Sequence, residues 1–240
     1  DHSGGDTDTA QLAITVTGIA PQAVADTGAV NENATLTVNA ASGVIGNDDD
    51  NASYDSESLA VTSIVSMSTS NSGNAAAAIT GTYGVLTMAA DGSYSYVANT
   101  AAAEALDADD EVTDIFTYTL KDDADVNSST ATLTITVTGV DDDPAGVNDT
   151  GAVNEDKTLT VTTGNGVLSN DTDADDSSSI SVSAISGGTV GQALIGTYGT
   201  LTLNSNGSYS YVANTNGADG LAASATATDT FTYTVSDGAG

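Results

Sequence analysis

Residues 201–212 read LTLNSNGSYSYV, and residues 86–97 read LTMAADGSYSYV. In both stretches apolar and polar residues alternate on either side of a turn pair, Asn206-Gly207 or Asp91-Gly92. Alternation with period two gives a strand one buried face, and Asn-Gly or Asp-Gly between two such runs is a strong hairpin signal. Each stretch therefore predicts two antiparallel strands joined by a tight turn.

The hairpin is one part of an internal repeat, which is the first pattern to look for in a chain of this kind. Its two copies lie 115 positions apart at the hairpin, as Gly92 and Gly207 show, and 123 positions apart at their DTGAVNE motifs. Further motifs recur in the same order: DTGAVNE at 26–32 and 149–155, GTYG at 81–84 and 196–199, and FTYT at 116–119 and 231–234. The chain thus contains two copies of one structural unit.

The ends of the copies predict the domain boundaries. LAITVTG at 12–18 matches LTITVTG at 133–139. We therefore expect residues 1–18 to be the last strand of a preceding module and residues 19–140 to form one Ig-like repeat. Residues 141–240 should form another that lacks its own last strand. These two segments are called the first repeat and the second repeat below.

The strand pattern predicts an all-β fold. In TLTITVT, Leu133, Ile135 and Val137 alternate with threonines, which indicates a strand with one buried face. Both tyrosines of each YSY motif should point into the core for the same reason. About seven short strands per copy, separated by Gly, Asn and Asp turns, are typical of an antiparallel Ig-like β-sandwich. We expect tandem modules of this kind in an extended rod, with one helical turn near residues 101–110.

The composition excludes several functions. The chain has 33 Asp and Glu against 2 Lys and Arg, for a formal net charge of −31. Nucleic acids and anionic membranes repel such a chain, and no apolar run approaches the roughly 20 residues of a membrane span. With no cysteine, neither disulfides nor thiolate metal sites are possible. His2 is the only histidine, and no base accompanies a candidate nucleophile, so we do not expect an enzyme.

The acidic loop VLSNDTDADD at 167–176 predicts a calcium site in the second repeat. Ca²⁺ takes six to eight oxygen ligands, and alternating aspartates in a short loop can present carboxylates to one ion. The loop is not an EF-hand, because Asp176 and Val182 occupy the positions of the required Gly and Glu. The candidate ligands are Asn170, Asp171, Asp173, Asp175 and Asp176.

The corresponding loop of the first repeat, NDDDNASYDSE at 47–57, keeps only part of this pattern. Asn47, Asp48 and Asp50 are its candidate ligands, and Ala52 stands in the place of Asp175. We therefore expect the second repeat to bind calcium better here. A solvated acidic surface remains the alternative interpretation for both loops.

A second acidic cluster lies where the repeats join. The segment VDDDPAGVNDTGAVNED at 140–156 supplies Asp141, Asp142, Asp143 and Glu155, and Glu32 is the counterpart of Glu155 in the first repeat. Self-repulsion at a net charge of −31 destabilises a compact state, which favours neutralisation by cations.

The stretches GVLSNDTDADD, GTYGTLTLNSNGSYSYVAN, DTFTYTVSDGAG and TATLTITVTGVDDDP resemble VCBS repeats, also described as cadherin-like tandem repeats. The resemblance covers nearly the whole chain. It implies Ig-like extender modules of a large secreted adhesin, often with RTX tails, that bind calcium at loops and junctions. It also implies an extracellular or cell-surface location. The partners would be neighbouring modules of the same or an identical chain, with glycans or other cells reached through other regions.

Two other hypotheses remain open. The spare strand at 10–17 predicts a filament in which one chain's strand completes the next chain's sandwich by β-augmentation. A calcium-dependent carbohydrate-binding module is a third possibility, but it requires exposed aromatic side chains near the acidic loops, and only Tyr54 fits this requirement.

Overall fold

A computed structural model describes residues 8–15, 20–50, 58–122, 128–175 and 179–238. Within these ranges the chain forms fifteen strands, one four-residue α-helix (α1, Asn216–Asp219) and two short 3-10 helices, Ala40–Ser42 and Thr163–Asn165. The predicted all-β fold is confirmed. The segment at 101–110 forms turns rather than a helix; in the first of them the Glu104 N–H donates to the Thr100 carbonyl at 3.0 Å.

The strands follow the two copies of the sequence. The first repeat contains β1 (Asp26–Asn31), β2 (Thr35–Val38), β3 (Ala60–Ser66), β4 (Ser72–Asn74), β5 (Ala78–Thr80), β6 (Val85–Met88), β7 (Tyr94–Val97), β8 (Glu111–Lys121) and β9 (Ser128–Thr138). The second repeat contains β10 (Thr158–Val161), β11 (Ser181–Ile185), β12 (Ala193–Ile195), β13 (Thr200–Leu203), β14 (Tyr209–Val212) and β15 (Tyr233–Ser236).

The strands of each repeat form two sheets. In the first repeat the sheet orders are β1-β9-β8-β3-β4 and β2-β7-β6-β5. In the second repeat they are β10-β14-β13-β12 and the two-stranded β11-β15. The four-stranded sheets have the same arrangement, whereas two strands of the five-stranded sheet have counterparts in the described part of the second repeat.

The hairpins predicted at 86–97 and 201–212 both form. β6 pairs antiparallel with β7 from Val85↔Val97 to Met88↔Tyr94. The turn glycines Gly92 and Gly207 have φ angles of +80° and +78°, a conformation that glycine adopts without a steric penalty.

The core of the first repeat lies between its two sheets. Leu86 and Tyr96 from one sheet and Phe116 and Ile135 from the other are fully buried. The Tyr96 and Phe116 rings meet edge to face, with their centroids 6.1 Å apart. Tyr94 is buried as well, which confirms the predicted inward orientation of the YSY motif in the first repeat; Tyr209 and Tyr211 of the second motif are half-buried.

Contacts between residues divide the chain into two compact units. The first unit comprises Asp1–Gly28, Thr35–Val97 and Asp114–Ile135, and the second comprises Ala29–Ala34, Ala98–Thr113 and Thr136–Gly240. The second unit thus includes short segments of the first repeat together with the whole second repeat. The domain boundaries drawn from the sequence stay predictions. No helix in the described part of the chain is long and apolar enough to cross a membrane.

Candidate metal centre

Three carboxylates converge within the second compact unit. One ligand oxygen from each of Glu32, Asp142 and Asp175 lies within 4.8 Å of the other two. Glu32 is only 2% exposed and Asp175 only 6%. We call this set the Glu32 cluster.

Backbone hydrogen bonds hold the cluster in place. Glu32 follows β1, where its N–H donates to the Thr138 carbonyl at 2.9 Å. Its Oε1 accepts from the Val140 N–H at 2.6 Å. Two residues later the Asp142 N–H donates to Asp175 Oδ2 at 3.1 Å. The end of β9 and the linker that follows it therefore position both buried carboxylates.

Each carboxylate also has an oxygen that is buried without a donor. Oε2 of Glu32, Oδ2 of Asp142 and Oδ1 of Asp175 have no hydrogen-bond partner. In Glu32 and Asp175 one oxygen is fixed by a backbone N–H and the other is left unsatisfied. A buried polar group without a partner costs free energy, more so when it carries charge.

The electrostatics of the cluster are unfavourable for three ionised carboxylates. Burial raises the pKa of Glu32, and the charges of Asp142, Asp175 and Glu104 raise it further, with partial relief from the backbone hydrogen bond. Burial also raises the pKa of Asp142, and Asp175, Glu104 and Asp173 add to the effect. Adding positive charge to the Glu32 cluster, as a bound cation or a proton, would therefore relieve the repulsion between its carboxylates.

The same pattern of one bound and one unsatisfied oxygen occurs at other aspartates. Among the described residues, every buried side-chain nitrogen or oxygen without a hydrogen-bond partner belongs to a carboxylate. These atoms are Glu32 Oε2, Asp48 Oδ2, Asp122 Oδ1, Asp142 Oδ2, Asp171 Oδ2, Asp173 Oδ2 and Asp175 Oδ1.

The aspartates of the acidic loop in the second repeat have two different structural roles. Asp175 belongs to the Glu32 cluster, and Asp173 Oδ1 accepts from the Asp175 N–H at 3.1 Å. Asp171 instead accepts from the Val147 N–H through Oδ1 at 2.6 Å. Its counterpart Asp48 accepts from the Val24 N–H at 2.7 Å. Asp171 and Asp48 thus fix the backbone of the segment that leads into each repeat, at Val147 and at Val24.

The other predicted ligands lie outside the Glu32 cluster. Asn47, Asn170, Asp143 and Glu155 are exposed, and Asp50 and Asp141 are half-buried. Asp176 and Tyr54 fall outside the described residues, so their predicted roles stay predictions. The structure therefore brings together three of the predicted ligands, Glu32, Asp142 and Asp175, which the sequence analysis had placed in two separate clusters.

Sequence reasoning missed Glu104, whose charge acts on both Glu32 and Asp142. It precedes the acidic run 107–111, but neither its spacing nor its surroundings in the sequence mark it as a candidate ligand.

It also missed a pair of structural carboxylates. Asp114, which is 1% exposed, accepts from the N–H groups of Thr82 and Tyr83 at 2.8 and 3.0 Å and from the Tyr96 hydroxyl at 2.6 Å. Asp229 makes the corresponding bonds in the second repeat. A signal was available, because an aspartate stands two positions before the phenylalanine of both FTYT motifs.

The Glu32 cluster has the chemistry of a calcium site. Calcium is a hard cation that binds carboxylate and carbonyl oxygens, and among the residues that the structure describes no histidine or cysteine joins these carboxylates. The three unsatisfied oxygens could serve as ligands while the backbone hydrogen bonds keep Glu32 and Asp175 in place. Asp114 is not a candidate calcium ligand, because both of its carboxylate oxygens already accept hydrogen bonds.

Comparisons with known proteins found one family match and several similar solved structures. A sequence profile for a family described as "Bacterial cadherin-like domain" matches residues 19–139 and 141–240. Among solved structures, Drosophila N-cadherin EC1-4 is 19% identical, with a TM-score of 0.46; the match covers 81% of this chain and 41% of that one. Murine CEACAM1b is 14% identical, with a TM-score of 0.26, and the match covers 78% of this chain and 82% of that one. This chain thus spans 41% of the length of the N-cadherin structure. Curated protein sequences yielded no match.

Proposed function

Since this chain belongs to the bacterial cadherin-like domain family, we propose that it is part of the extender region of a large secreted adhesin or extracellular fibre. Domains of this family are extracellular structural and adhesive modules rather than enzymes. The cadherin-like part of the resemblance is confirmed, whereas the VCBS and RTX context stays a prediction. In the proposed function, calcium stiffens the array at its acidic clusters.

The Glu32 cluster is the observation that carries this proposal. Its carboxylates come from two parts of the repeat sequence, because Glu32 belongs to the first repeat and Asp142 and Asp175 to the second. An ion bound by all three would link the base of one repeat to the start of the next. Without a cation, their mutual repulsion opposes this arrangement.

Binding at such a site is large enough to matter. Extracellular calcium modules bind with dissociation constants of roughly 10⁻⁴–10⁻³ M. At about a hundredfold excess of calcium over this constant, one site adds about 2.7 kcal/mol to the free energy of unfolding. A domain has only about 5–15 kcal/mol in total, so one such site would supply a substantial part of the stability.

The proposal also accounts for the asymmetry between the acidic loops. In the first repeat Pro21 is the counterpart of Pro144, and the chain before it has no residues equivalent to Asp141 and Asp142. Ala52 replaces Asp175 as well. A cluster like that around Glu32 therefore cannot be built from these positions, and calcium should act mainly at the junction that begins near residue 140.

Calorimetry and scattering test this function. The purified chain should bind calcium in isothermal titration calorimetry, and its melting temperature should rise in calcium relative to EDTA. Small-angle X-ray scattering should show a narrower distribution of end-to-end lengths when calcium is present. Equal melting curves and equal scattering profiles in the two conditions would rule out calcium stiffening.

A further inference from the structure

One carboxylate near the Glu32 cluster has no part in the calcium binding described so far. Glu104 is half-buried and lies outside the three residues whose oxygens converge within 4.8 Å. Burial is the main cause that raises the pKa of Glu32 and of Asp142, and the charge of Glu104 raises both further. Glu104 is therefore close enough to act on the same cation through its charge.

The backbone of Glu104 is anchored to the core of the protein. In the turn that follows β7, the N–H groups of Ala103 and Glu104 donate to the Thr100 carbonyl at 2.9 and 3.0 Å. The Ala103 side chain is fully buried. The backbone at Glu104 is therefore fixed, and the direction of its side chain decides where its charge lies.

The side chain of Glu104 is held by Asn33. The amide nitrogen of Asn33 donates to Glu104 Oε1 at 2.5 Å and to Oε2 at 3.1 Å. Turning the amide over would instead set its oxygen, an acceptor, against a carboxylate that can only accept. Hydrogen bonds to an ionised carboxylate are stronger than those between neutral groups, so Asn33 holds this carboxylate in one place.

Asn33 reaches Glu104 from a backbone conformation that is unusual for a residue other than glycine. It directly follows Glu32 in the turn between β1 and β2, with a φ angle of +58°. Asparagine is among the residues that tolerate this conformation best. The Asn33 N–H donates to the Ala98 carbonyl, just after β7, at 2.8 Å. One turn thus carries both a member of the Glu32 cluster and the donor that holds Glu104.

The hydrogen bonds of Glu104 distinguish it from the members of the Glu32 cluster. Glu32, Asp142 and Asp175 each have a buried oxygen without a partner. Both oxygens of Glu104 accept from Asn33, so neither is left unsatisfied in this way. A charge that does not touch an ion still attracts it, and a partly buried charge is screened less by salt than an exposed one. Glu104 therefore has the features of a residue that acts on a bound cation at a distance.

We propose that Asn33 holds the Glu104 carboxylate beside the Glu32 cluster, and that the charge of Glu104 strengthens calcium binding there without contact with the ion. Asn33 is then a positioning residue, which acts only through Glu104. This inference rests on the proposed function and adds two residues to its site.

Calcium titrations of two variants test the proposal. Glu104→Gln removes the charge and keeps the length of the side chain. It should weaken calcium binding about three- to tenfold, as expected for a partly screened charge that does not ligate the ion. Asn33→Gly removes the amide but neither a charge nor a ligand, and glycine adopts the +58° φ angle without a steric penalty. It should weaken binding about threefold by releasing Glu104, whereas a role in the turn alone predicts unchanged affinity.

The dependence on salt separates action through charge from direct binding of the ion. The Debye length falls from about 10 Å at 0.1 M salt to about 3 Å at 1 M. The ratio of the calcium dissociation constants of Glu104→Gln and the wild type should therefore fall below about two in 1 M sodium chloride. Asp219→Asn is the matched control, because Asp219 lies 115 positions after Glu104, carries the same charge and is exposed. It should bind calcium like the wild type.

The double variant shows whether Asn33 acts through Glu104. Combining Asn33→Gly with Glu104→Gln should weaken binding no more than Glu104→Gln alone. Wild-type affinity in both single variants would overturn the proposal and leave the Glu32 cluster intact as a calcium site. A loss of more than about 100-fold in Glu104→Gln that persists in 1 M salt would also overturn it, because Glu104 would then bind the ion directly. If the wild-type chain bound no calcium, both this proposal and the proposed function would fail.

Discussion

Replacing Glu32 with glutamine should stabilise the calcium-free protein and weaken its affinity for calcium. Glutamine keeps an oxygen that can accept from the Val140 N–H, which Glu32 Oε1 now does at 2.6 Å. It removes one negative charge and adds an amide donor beside the unsatisfied oxygens of Asp142 and Asp175. The metal-free protein should therefore become more stable, while calcium loses a charged ligand.

The distances in the Glu32 cluster set the size of the effect. Two like charges about 4 Å apart repel by about 4 kcal/mol at an effective dielectric constant near 20. The ligand oxygens of Glu32, Asp142 and Asp175 lie within 4.8 Å of one another. Since protonation and solvent screening already relieve much of this repulsion, we expect a net gain of about 1–2 kcal/mol without calcium. This gain corresponds to a rise of about 2–8 °C in melting temperature.

With calcium the same variant should bind about tenfold more weakly, a loss of about 1.4 kcal/mol at a saturating concentration. Differential scanning calorimetry in EDTA and in calcium measures both effects. Glu155→Gln is the control, because Glu155 is the repeat counterpart of Glu32, carries the same charge and is exposed. If Glu32→Gln lowered the melting temperature in EDTA, or left the calcium-induced rise at its wild-type size, the cluster would not be a repulsive calcium site.

Three substitutions and a change of pH provide further tests. Asp114→Asn should cost about 2–4 kcal/mol in urea unfolding, because a buried charged acceptor of three hydrogen bonds is lost; an unchanged midpoint would contradict this role. Tyr118→Phe removes a hydroxyl that donates to Asp26 at 2.7 Å, and it should destabilise by about 1–3 kcal/mol. Tyr233→Phe should cost less, since Tyr233 is half-buried; equal costs would refute this reasoning. Burial and nearby carboxylates raise the pKa of Glu32, so this side chain binds a proton more readily in the folded protein than in the unfolded chain. The metal-free melting temperature should therefore rise as the pH falls from 7 toward 5. The calcium-loaded protein should lose stability over that range, because protons compete for the same oxygens; parallel pH profiles would refute this.

Much of the fold was predictable because its signals are local. The alternation in GSYSYV and in TLTITVT identifies the buried face of a strand from neighbouring residues alone. The Asp91-Gly92 and Asn206-Gly207 turns mark where the chain reverses. Because both copies carry the same motifs in the same order, each prediction is supported by two stretches of the sequence. The order of strands in the sheets was not predictable in this way, because β1 pairs with β9 across about one hundred residues.

The candidate site was predicted only in part. Asp142 and Asp175 both stood out in the sequence, but as members of two separate clusters. They meet because the linker after β9 runs past the acidic loop, where the Asp142 N–H donates to Asp175. Glu104 gave no signal, since its effect on the cluster comes from its place in the tertiary structure.

The sequence by itself determined the repeat, the β-strands, the strong negative charge and the supply of carboxylates. Each of these is a property of neighbouring residues or of composition. Only the tertiary structure decided which carboxylates share a site and which carry out structural tasks, as Asp114 and Asp171 do. The physical reason is that a carboxylate's role depends on which donors and charges surround it after folding. Those partners are brought from positions far apart along the chain.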